Sequence, residues 1–487
     1  MDVMRKFIYL ISFLLVLGVT SCKEFLNVTP KNVISMEDLQ SVKQALSGFL
    51  YGMPAEGSGC SNSIPWPPFD RSFEYRAMMN YTSEWDLSTL ASDNEGMTVE
   101  DVEQADWRSE DTQGYWNMYY DPIGFMNLIL HEAATASGDE DMRDYIMGEA
   151  YVMRAYCFFK LLQYFAPYDN NGLGIPMCLN SYDDFEDVDL SRQPQTKVYA
   201  QILSDLHEAE IRLERTPMRT GFNRMYDLPI VNRLFAQVYH FKALSSAAEA
   251  DDWKNAIVYA SKETEGAALE SDPDRLRALF NPNLWNSKVV TNEAALRVTV
   301  NSGMSNGELI GRSYISNDFV QTHFPASEGD IRDDYYFMTG AGGSIRLDKY
   351  SYFSDYANFG NVFVGFRLAE AFLIQAEALA MTDQLSEAKA MLERFKEARY
   401  TGAYTTPSDK EGLLQDIYRE RRKEFVGEGD YVWMDMKRLG LKAERTIDGK
   451  TYTLNGAGDY RYTFPIPTRE LENNKFIDQN PVWQLKE

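Results

Sequence analysis

The stretch that says most about the fold lies near the carboxyl end and reads Glu420-Arg421-Arg422-Lys423-Glu424-Phe425, followed by Glu428-Gly429. Acidic and basic residues occur here at helical spacing, with Phe425 on the inward side. Asp435 and the pair Lys437-Arg438 follow in the next predicted element. Arginine bonds carboxylates through a planar fork of N–H groups, so we expect these charges to pair across packed helices and to fix the C-terminal segment. The pattern indicates a structural role rather than a catalytic one.

Upstream of this stretch the chain reads as a series of helices with apolar faces. Hydrophobic periodicity predicts helices over 38–51, 114–136, 140–165 and 195–215. Two helical hairpins are predicted over 229–249 with 252–265, and over 363–381 with 384–399. Such pairs are typical of tetratricopeptide-like repeats of roughly 34 residues, which stack because one pair cannot bury its apolar face unaided. Residues that fit the closely packed faces are Trp253, Ala256, Ala260, Ala369, Ala376 and Ala380.

A loop-rich segment at about 270–362 separates the two hairpins. It is rich in aromatic residues and carries weak strand signals at 295–300 and 344–349, with glycines at 340, 342 and 343 marking a flexible tip. A segment this long without clear periodicity is usually functional or flexible. The sequence therefore predicts a mainly α fold with loop-rich insertions and a few short strands.

The first 21 residues have the pattern of a secretory signal peptide. Arg5 and Lys6 precede an apolar run over 8–19, which is too short for a membrane-spanning helix of about 20 residues. Small residues then lead into Cys22, and the site resembles a bacterial lipobox. That resemblance implies cleavage before Cys22 and a lipid on its cysteine, so the chain is expected to contact a membrane through the lipid anchor only.

Charge and missing motifs exclude several classes of function. The 487-residue chain has a formal net charge of −25, which argues against a nucleic-acid partner because such proteins carry a basic footprint. Its four histidines do not form an HExxH metal motif, and there is no GxSxG, Walker A or GxGxxG sequence. We therefore predict no enzyme activity, no metal site and no cofactor. A surface glycoside hydrolase stays open as an alternative, since its two carboxylates carry no sequence signature.

Six segments, in order along the chain, together resemble the SusD/RagB family of Bacteroidetes outer-membrane lipoproteins. The charged stretch at 420–438 is the strongest of them. The other five are Cys22-Lys23-Glu24-Phe25-Leu26 with Pro30; Trp116, Tyr119, Ile123 and Asn127; Arg154-Ala155-Tyr156 with Leu161, running through Phe165-Ala166-Pro167 to Gly174-Ile175-Pro176; Phe366-Arg367-Leu368-Ala369-Glu370 with Ala376-Glu377-Ala378; and Phe464-Pro465-Ile466-Pro467 with Glu470 and Asn480-Pro481.

The resemblance implies a SusD-like fold, here a single domain over 22–487 after a signal peptide at 1–21. It implies a lipid-anchored protein on the cell surface of the outer membrane that captures a nutrient, usually a glycan. It also implies a partner, a SusC-like TonB-dependent transporter that imports the ligand. Capture of peptides, as in RagB-like members, stays open as a second reading within the binding class.

In the family, the binding residues come from the N-terminal loops and the middle insertion, which correspond here to 66–107 and 285–352. Sugar rings have apolar faces that lie flat on aromatic rings, and polar side chains beside them bond the hydroxyls. The predicted aromatic platform is Trp66, Trp85, Trp107, Trp285, Tyr314, Tyr335 and Tyr336. The predicted hydroxyl partners are Asp93, Asn94, Arg108, Asn283 and Arg332.

Overall fold

The computed structural model is mainly helical, as the sequence predicts, with short strands between the helices. It describes residues 36–52, 81–86, 106–108, 112–168, 172–179, 190–216, 226–280, 293–299, 314–340, 342–349, 362–447, 449–481 and 483. The segment predicted as a signal peptide and Cys22 lie outside the described residues. Within them, none of the helices combines the length and the apolar character needed to cross a membrane.

The N-terminal half is a run of antiparallel helices that pack one on the next. Asp139 begins the long third helix by accepting a hydrogen bond from the Met142 backbone N–H at 3.1 Å. That helix packs against both of its sequence neighbours. All four helices begin and end within two residues of their predicted bounds: α1 Leu39–Gly52, α2 Gln113–Thr135, α3 Glu140–Phe165 and α4 Gln195–Leu213. Between α3 and α4, β1 (Leu173–Pro176) pairs antiparallel with β2 (Arg192–Pro194).

The first predicted hairpin is present as α5 (Leu228–Lys242) and α6 (Asp252–Thr264). Stacked rings join the two helices, with the centroids of Phe235 and Tyr259 4.0 Å apart. Ala256 and Ala260 on α6 are fully buried, which confirms the predicted small-residue face. Side chains this small let a neighbouring helix approach closely.

The insertion contains more regular structure than the sequence predicts. The strand expected at 295–300 is confirmed as β3 (Ala294–Thr299), and the strand expected at 344–349 is confirmed as β6 (Ile345–Leu347). The described part of the insertion also contains α7 Pro273–Ala278, β4 Tyr314–Ile315, α8 Asn317–His323, a 3₁₀ turn at Ala326–Glu328, α9 Asp333–Tyr336 and β5 Phe337–Thr339. Strands β4, β6 and β5 form one antiparallel sheet in that order.

Two predicted helix boundaries are wrong. The helix expected over 229–249 ends at Lys242, and residues 243–249 form the connection to α6. Residues 363–367, expected as the first turns of a helix, belong to β7 (Val362–Arg367), which pairs antiparallel with β3. The sequence Val-Phe-Val-Gly-Phe favours a strand because β-branched and aromatic side chains fit a pleated surface. The helix begins only at Leu368, and the small residues Ala369, Ala376 and Ala380 that it carries are fully buried.

The C-terminal elements close the described fold. They are α10 Leu368–Met381, α11 Leu385–Glu397, α12 Lys410–Phe425, α13 Tyr431–Leu439, β8 Ala443–Ile447, β9 Lys450–Leu454 and α14 Thr468–Asn473. Helix α10 packs on α6, α11 and α12, so the second predicted hairpin stacks on the first. A connected cluster of buried apolar side chains runs from Leu39 to Ile477.

Candidate ligand-binding face

The segment around Trp85 lies beside β4, and an isolated bridge joins it to the sheet of the insertion. Trp85 and Ile315 form an antiparallel bridge. Two backbone hydrogen bonds flank it: the Asp86 N–H donates to the Tyr314 carbonyl at 3.0 Å, and the Ser316 N–H donates to the Glu84 carbonyl at 2.7 Å. The sheet therefore joins part of the N-terminal loop region to the middle insertion, the two regions expected to carry ligand contacts.

Four side chains on one face of this sheet form what we call the binding row: Asp86, Tyr314, Arg346 and Met338. Tyr314 pairs with Arg346 across β4 and β6, and Arg346 pairs with Met338 across β6 and β5. Residues directly opposite each other in a sheet share a face, and the bridge at Trp85 puts Asp86 opposite Tyr314. Asp86 is exposed, Met338 is 38% exposed, and Tyr314 and Arg346 are half-buried. The row is thus a solvent-facing strip of a carboxylate, a phenol, a guanidinium and a thioether.

The opposite face of the sheet is turned to the interior. Side chains alternate along a strand, so Trp85, Ile315 and Leu347 point away from the binding row, and all three are buried. Leu347 packs on the turn after α12, where a Cβ built at Gly427 would lie 2.2 Å from its Cδ2 atom and φ is +71°. The positive φ favours glycine at this position, and the missing side chain lets Leu347 approach the turn closely.

Beneath the sheet, Glu424 of α12 binds three arginines from other parts of the chain. Its carboxylate accepts from Arg367 at 2.6 Å, from Arg399 at 2.9 and 3.0 Å, and from Arg332 at 3.2 Å. Burial alone would raise the pKa of Glu424, but the charges of Arg399 and Arg367 outweigh it and hold the pKa well below its usual range. The predicted pairing of these charges across packed elements is therefore confirmed, as is the inward position of Phe425.

The same buried charges hold the insertion at both ends of its sheet. Before β5, Arg332 binds Asp330 at 2.8 Å and Glu420 at 2.6 Å. After β6, the Lys349 ammonium donates to the Glu424 carbonyl at 2.8 Å and pairs with the Glu428 carboxylate. The charged stretch of α12 thus supports the sheet that carries the binding row.

Five of the predicted ligand contacts are buried, and the prediction for them is corrected. Arg332 is fully enclosed by its carboxylate partners, so it positions the sheet instead of meeting a ligand. The Tyr336 hydroxyl donates to the Glu424 carbonyl at 2.9 Å, and Tyr335 packs edge-on against it. The guanidinium carbon of Arg445 lies 3.9 Å from the centroid of the Trp107 ring, which is buried. Trp85 faces the core.

Two predicted residues keep a partly exposed side chain. Tyr314 lies in the binding row, as described above. Arg108 is half-buried and pairs with Asp106 at 2.8 Å, at a site apart from the row's four strands. Trp66, Asp93, Asn94, Trp285 and Asn283 lie outside the described residues.

Sequence reasoning missed three members of the binding row: Asp86, Arg346 and Met338. The available signal was the alternation in Ile345-Arg346-Leu347, where a charged residue stands between two apolar ones as in a half-buried strand. The bridge between Trp85 and Ile315 carries no sequence signal, because strand pairing depends on tertiary contacts.

The chemistry of the row is that of a contact surface. It holds one carboxylate, whereas hydrolysis of a glycosidic bond takes a facing pair. Among the described residues, no group of three or more histidine, cysteine, aspartate or glutamate side chains is placed to hold a metal ion. An internal cavity of about 50 Å³ between α3, α5, α12 and α13 has room for water rather than for a ligand of several rings.

Two models of known protein families match this chain. A family model described as starch-binding and associating with the outer membrane matches residues 24–224, and a second model, of the SusD family, matches residues 332–483. The chain belongs to the SusD family. SusD proteins form a binding family associated with the outer membrane.

Similar proteins agree with the family over nearly the whole chain. A SusD-like protein of Formosa agariphila is 23% identical over 539 aligned residues, covering 98% of this chain and 99% of the relative. A SusD superfamily protein of Bacteroides thetaiotaomicron superposes with a TM-score of 0.70 at 21% identity, covering 91% of this chain and all of that one. A structure from Bacteroides vulgatus, described as a SusD-like carbohydrate-binding protein, gives a TM-score of 0.64 at 20% identity over 90% of this chain and 97% of its own. These likenesses show a shared fold.

Proposed function

We propose that this SusD-family protein binds a glycan on the outside of the outer membrane and delivers it, without catalysing its breakdown, to a SusC-like TonB-dependent transporter. The observation that carries the proposal is the backbone pairing of segment 84–86 with β4. It joins two chain regions into one solvent-facing strip, the binding row. The family description as starch-binding supports a carbohydrate ligand.

The binding row has the chemistry that a sugar requires. The apolar face of a pyranose ring stacks on an aromatic ring such as that of Tyr314. Asp86 accepts hydrogen bonds from sugar hydroxyls, and Arg346 donates them. We keep Trp66, Trp285, Asp93, Asn94, Asn283 and Arg108 as proposed ligand contacts in addition to the row.

Attachment to the membrane is proposed through Cys22. Its position after a signal peptide and small residues supports lipidation, which leaves residues 22–487 outside the outer membrane. Mass spectrometry of the protein extracted from membranes tests the lipid, and Cys22→Ser is expected to release the protein into the soluble fraction. Co-purification of the transporter with the wild-type protein tests the partner.

The decisive experiment is calorimetric titration of the mature chain with maltooligosaccharides and with host-mucin and plant oligosaccharides. We expect Tyr314→Ala to weaken binding of the preferred glycan about tenfold, equivalent to about 1.4 kcal/mol, because it removes the stacking surface. Tyr314→Phe is the matched control, since it keeps the ring and loses only the hydroxyl. It is expected to stay within about threefold of wild type.

Three results would contradict the proposal. Equal affinity of wild type and Tyr314→Ala would remove the binding row from the site. Binding of oligopeptides with no glycan signal would favour the RagB-like alternative. Sustained release of reducing sugar by the purified protein would contradict a non-catalytic function.

A further inference from the structure

A groove lies at the C-terminal end of the described fold and shares no residue with the binding row. It has a volume of about 590 Å³, within the range of about 300–1,000 Å³ that ligand pockets occupy. Its walls come from the end of α3, the end of α13, the loop after β9 and the segment after α14. The residues that matter for its chemistry are Tyr168, Tyr460, Trp483, Lys437, Arg438 and Asp459.

The aromatic walls of the groove are held in place by their own polar atoms. The Trp483 indole N–H donates to the Thr463 carbonyl at 2.9 Å, and the Tyr168 hydroxyl donates to the Phe241 carbonyl. Tyr460 and Trp483 meet edge to face, with centroids 4.9 Å apart and planes at 79°. All three rings remain half-exposed. The groove therefore offers flat apolar surfaces whose orientation is fixed before a ligand arrives, which lowers the entropic cost of binding.

The charged groups of the groove are directed into the protein. Asp459 pairs with Arg461 at 2.6 Å, and Arg438 pairs with Glu377 at 2.6 Å and with Asp435 at 2.7 Å. The Lys437 ammonium donates to the carbonyls of Gln163 and Ala166. A charged ligand would have to compete with these short contacts, so the lining favours an uncharged one.

From these features we propose that the groove is a second binding site, for a short neutral oligosaccharide. The flat rings match the apolar faces of sugar rings, and backbone and side-chain polar groups along the rim match their hydroxyls. A site built from the groove's own residues goes beyond the function proposed for the binding row and does not depend on it.

The test is a pair of crossed substitutions in the mature chain, titrated with maltooligosaccharides, xylo-oligosaccharides and manno-oligosaccharides. Tyr460→Ala is expected to lower affinity at the groove about tenfold, and Tyr460→Phe, the matched control, to stay within about threefold of wild type. In a Tyr314→Ala background, saccharide binding is expected to persist and to weaken about tenfold further when Tyr460→Ala is added. Thermal unfolding of each variant checks that the half-exposed Tyr460 site tolerates the change.

The two sites fail separately. If the binding row is not a glycan site, Tyr314→Ala has no effect while Tyr460→Ala still weakens binding. If the groove is not a glycan site, adding Tyr460→Ala leaves the affinity for all three saccharides unchanged, both in the wild-type chain and in the Tyr314→Ala variant. That result overturns the inference. Absence of any saccharide binding in the Tyr314→Ala background overturns it as well, and so does binding in that background of oligogalacturonates alone. Saturating saccharide is further expected to slow amide hydrogen exchange at 457–463 and 480–483, and unchanged exchange there would count against the site.

Discussion

His240 on α5 is a buried titratable group that takes no part in either proposed site. Its Nε2 atom lies 2.7 Å from a Glu377 carboxylate oxygen, and Glu377 also accepts two bonds from Arg438. Burial and the nearby charge of Arg438 lower the pKa of His240 from its usual 6.5 to about 4, despite the opposing pull of Glu377. The folded protein thus keeps this histidine neutral over a range in which the unfolded chain protonates it.

This difference predicts a pH dependence of stability. Between about pH 6.5 and pH 4 the unfolded state binds a proton that the folded state does not, so the contribution of His240 is present above pH 6.5 and is lost as pH falls. Relative to His240→Gln, the wild-type free energy of unfolding should fall by up to about 1.4 kcal/mol per pH unit across that window. Urea unfolding at several pH values measures it.

A half-exposed histidine provides the control for this measurement. His207 on α4 has a side chain that is 51% exposed, and His207→Gln makes the same substitution outside the buried core. A difference between wild type and His240→Gln that stays constant from pH 6.5 to pH 4 would show that the His240 proton does not contribute.

At the scale of elements, the stacking of hairpins depends on the small faces of α6 and α10. Ala376 lies in the middle of α10, is fully buried, and belongs to the apolar cluster that α10 shares with α11 and α12. We expect Ala376→Leu to cost about 1–3 kcal/mol of unfolding free energy, because added methylene groups force apart helices that are already in contact. Ala390→Leu makes the same change at an exposed position of α11, and should alter stability by less than about 0.5 kcal/mol. Denaturant unfolding measures both variants. An equal loss of unfolding free energy in the two would mean that the α10 face accommodates the larger side chain.

Helices and strands differ in how far the sequence determines them. The periodicity of apolar residues places α1 to α4 within two residues because each helix makes its hydrogen bonds within itself. Strand β7 was predicted as helix because its partner, β3, lies more than sixty residues earlier in the chain. The insertion strands with a sequence signal are β3, which is six residues long, and β6, whose residues alternate between apolar and charged. Strands β4 and β5 are only two and three residues long, too short for periodicity to distinguish them from loop.

At the scale of the whole molecule, the candidate ligand-binding face also depends on contacts between distant parts of the chain, which the sequence does not show. The family resemblance implied that the N-terminal loops and the insertion both carry ligand contacts, and the described part of each meets at the bridge between Trp85 and Ile315. It did not separate aromatic residues that face solvent from those that pack inside, because Tyr314, Tyr335 and Tyr336 have the same chemistry. Which of them faces outward depends on the register of the sheet and on the buried charges beneath it. The charged stretch of α12 contacts the next C-terminal helix through Arg421 and the chain before β5 through Arg332.

Arg332 links these two roles, and a conservative change there tests the link. Its guanidinium holds Asp330, Glu420 and Glu424 at once, and a lysine keeps the charge but loses the planar fork. We expect Arg332→Lys to speed amide hydrogen exchange in β5 and β6 and to weaken glycan binding several-fold, although its side chain is fully buried. Exchange in α5, α6, α10 and α11 should be unchanged.

Arg419→Lys, at a half-exposed position of the same helix α12, is the matched control and should change neither exchange nor affinity. Uniform acceleration across all helices in Arg332→Lys would indicate general destabilisation instead of local release of the sheet. Unchanged exchange in β5 and β6 would show that Lys349 and the close contact of Leu347 with Gly427 suffice to hold the sheet. The predicted result is faster amide exchange in β5 and β6 together with weaker glycan binding. It requires that the buried charges of α12 position the binding row, although α12 contributes no side chain to that row.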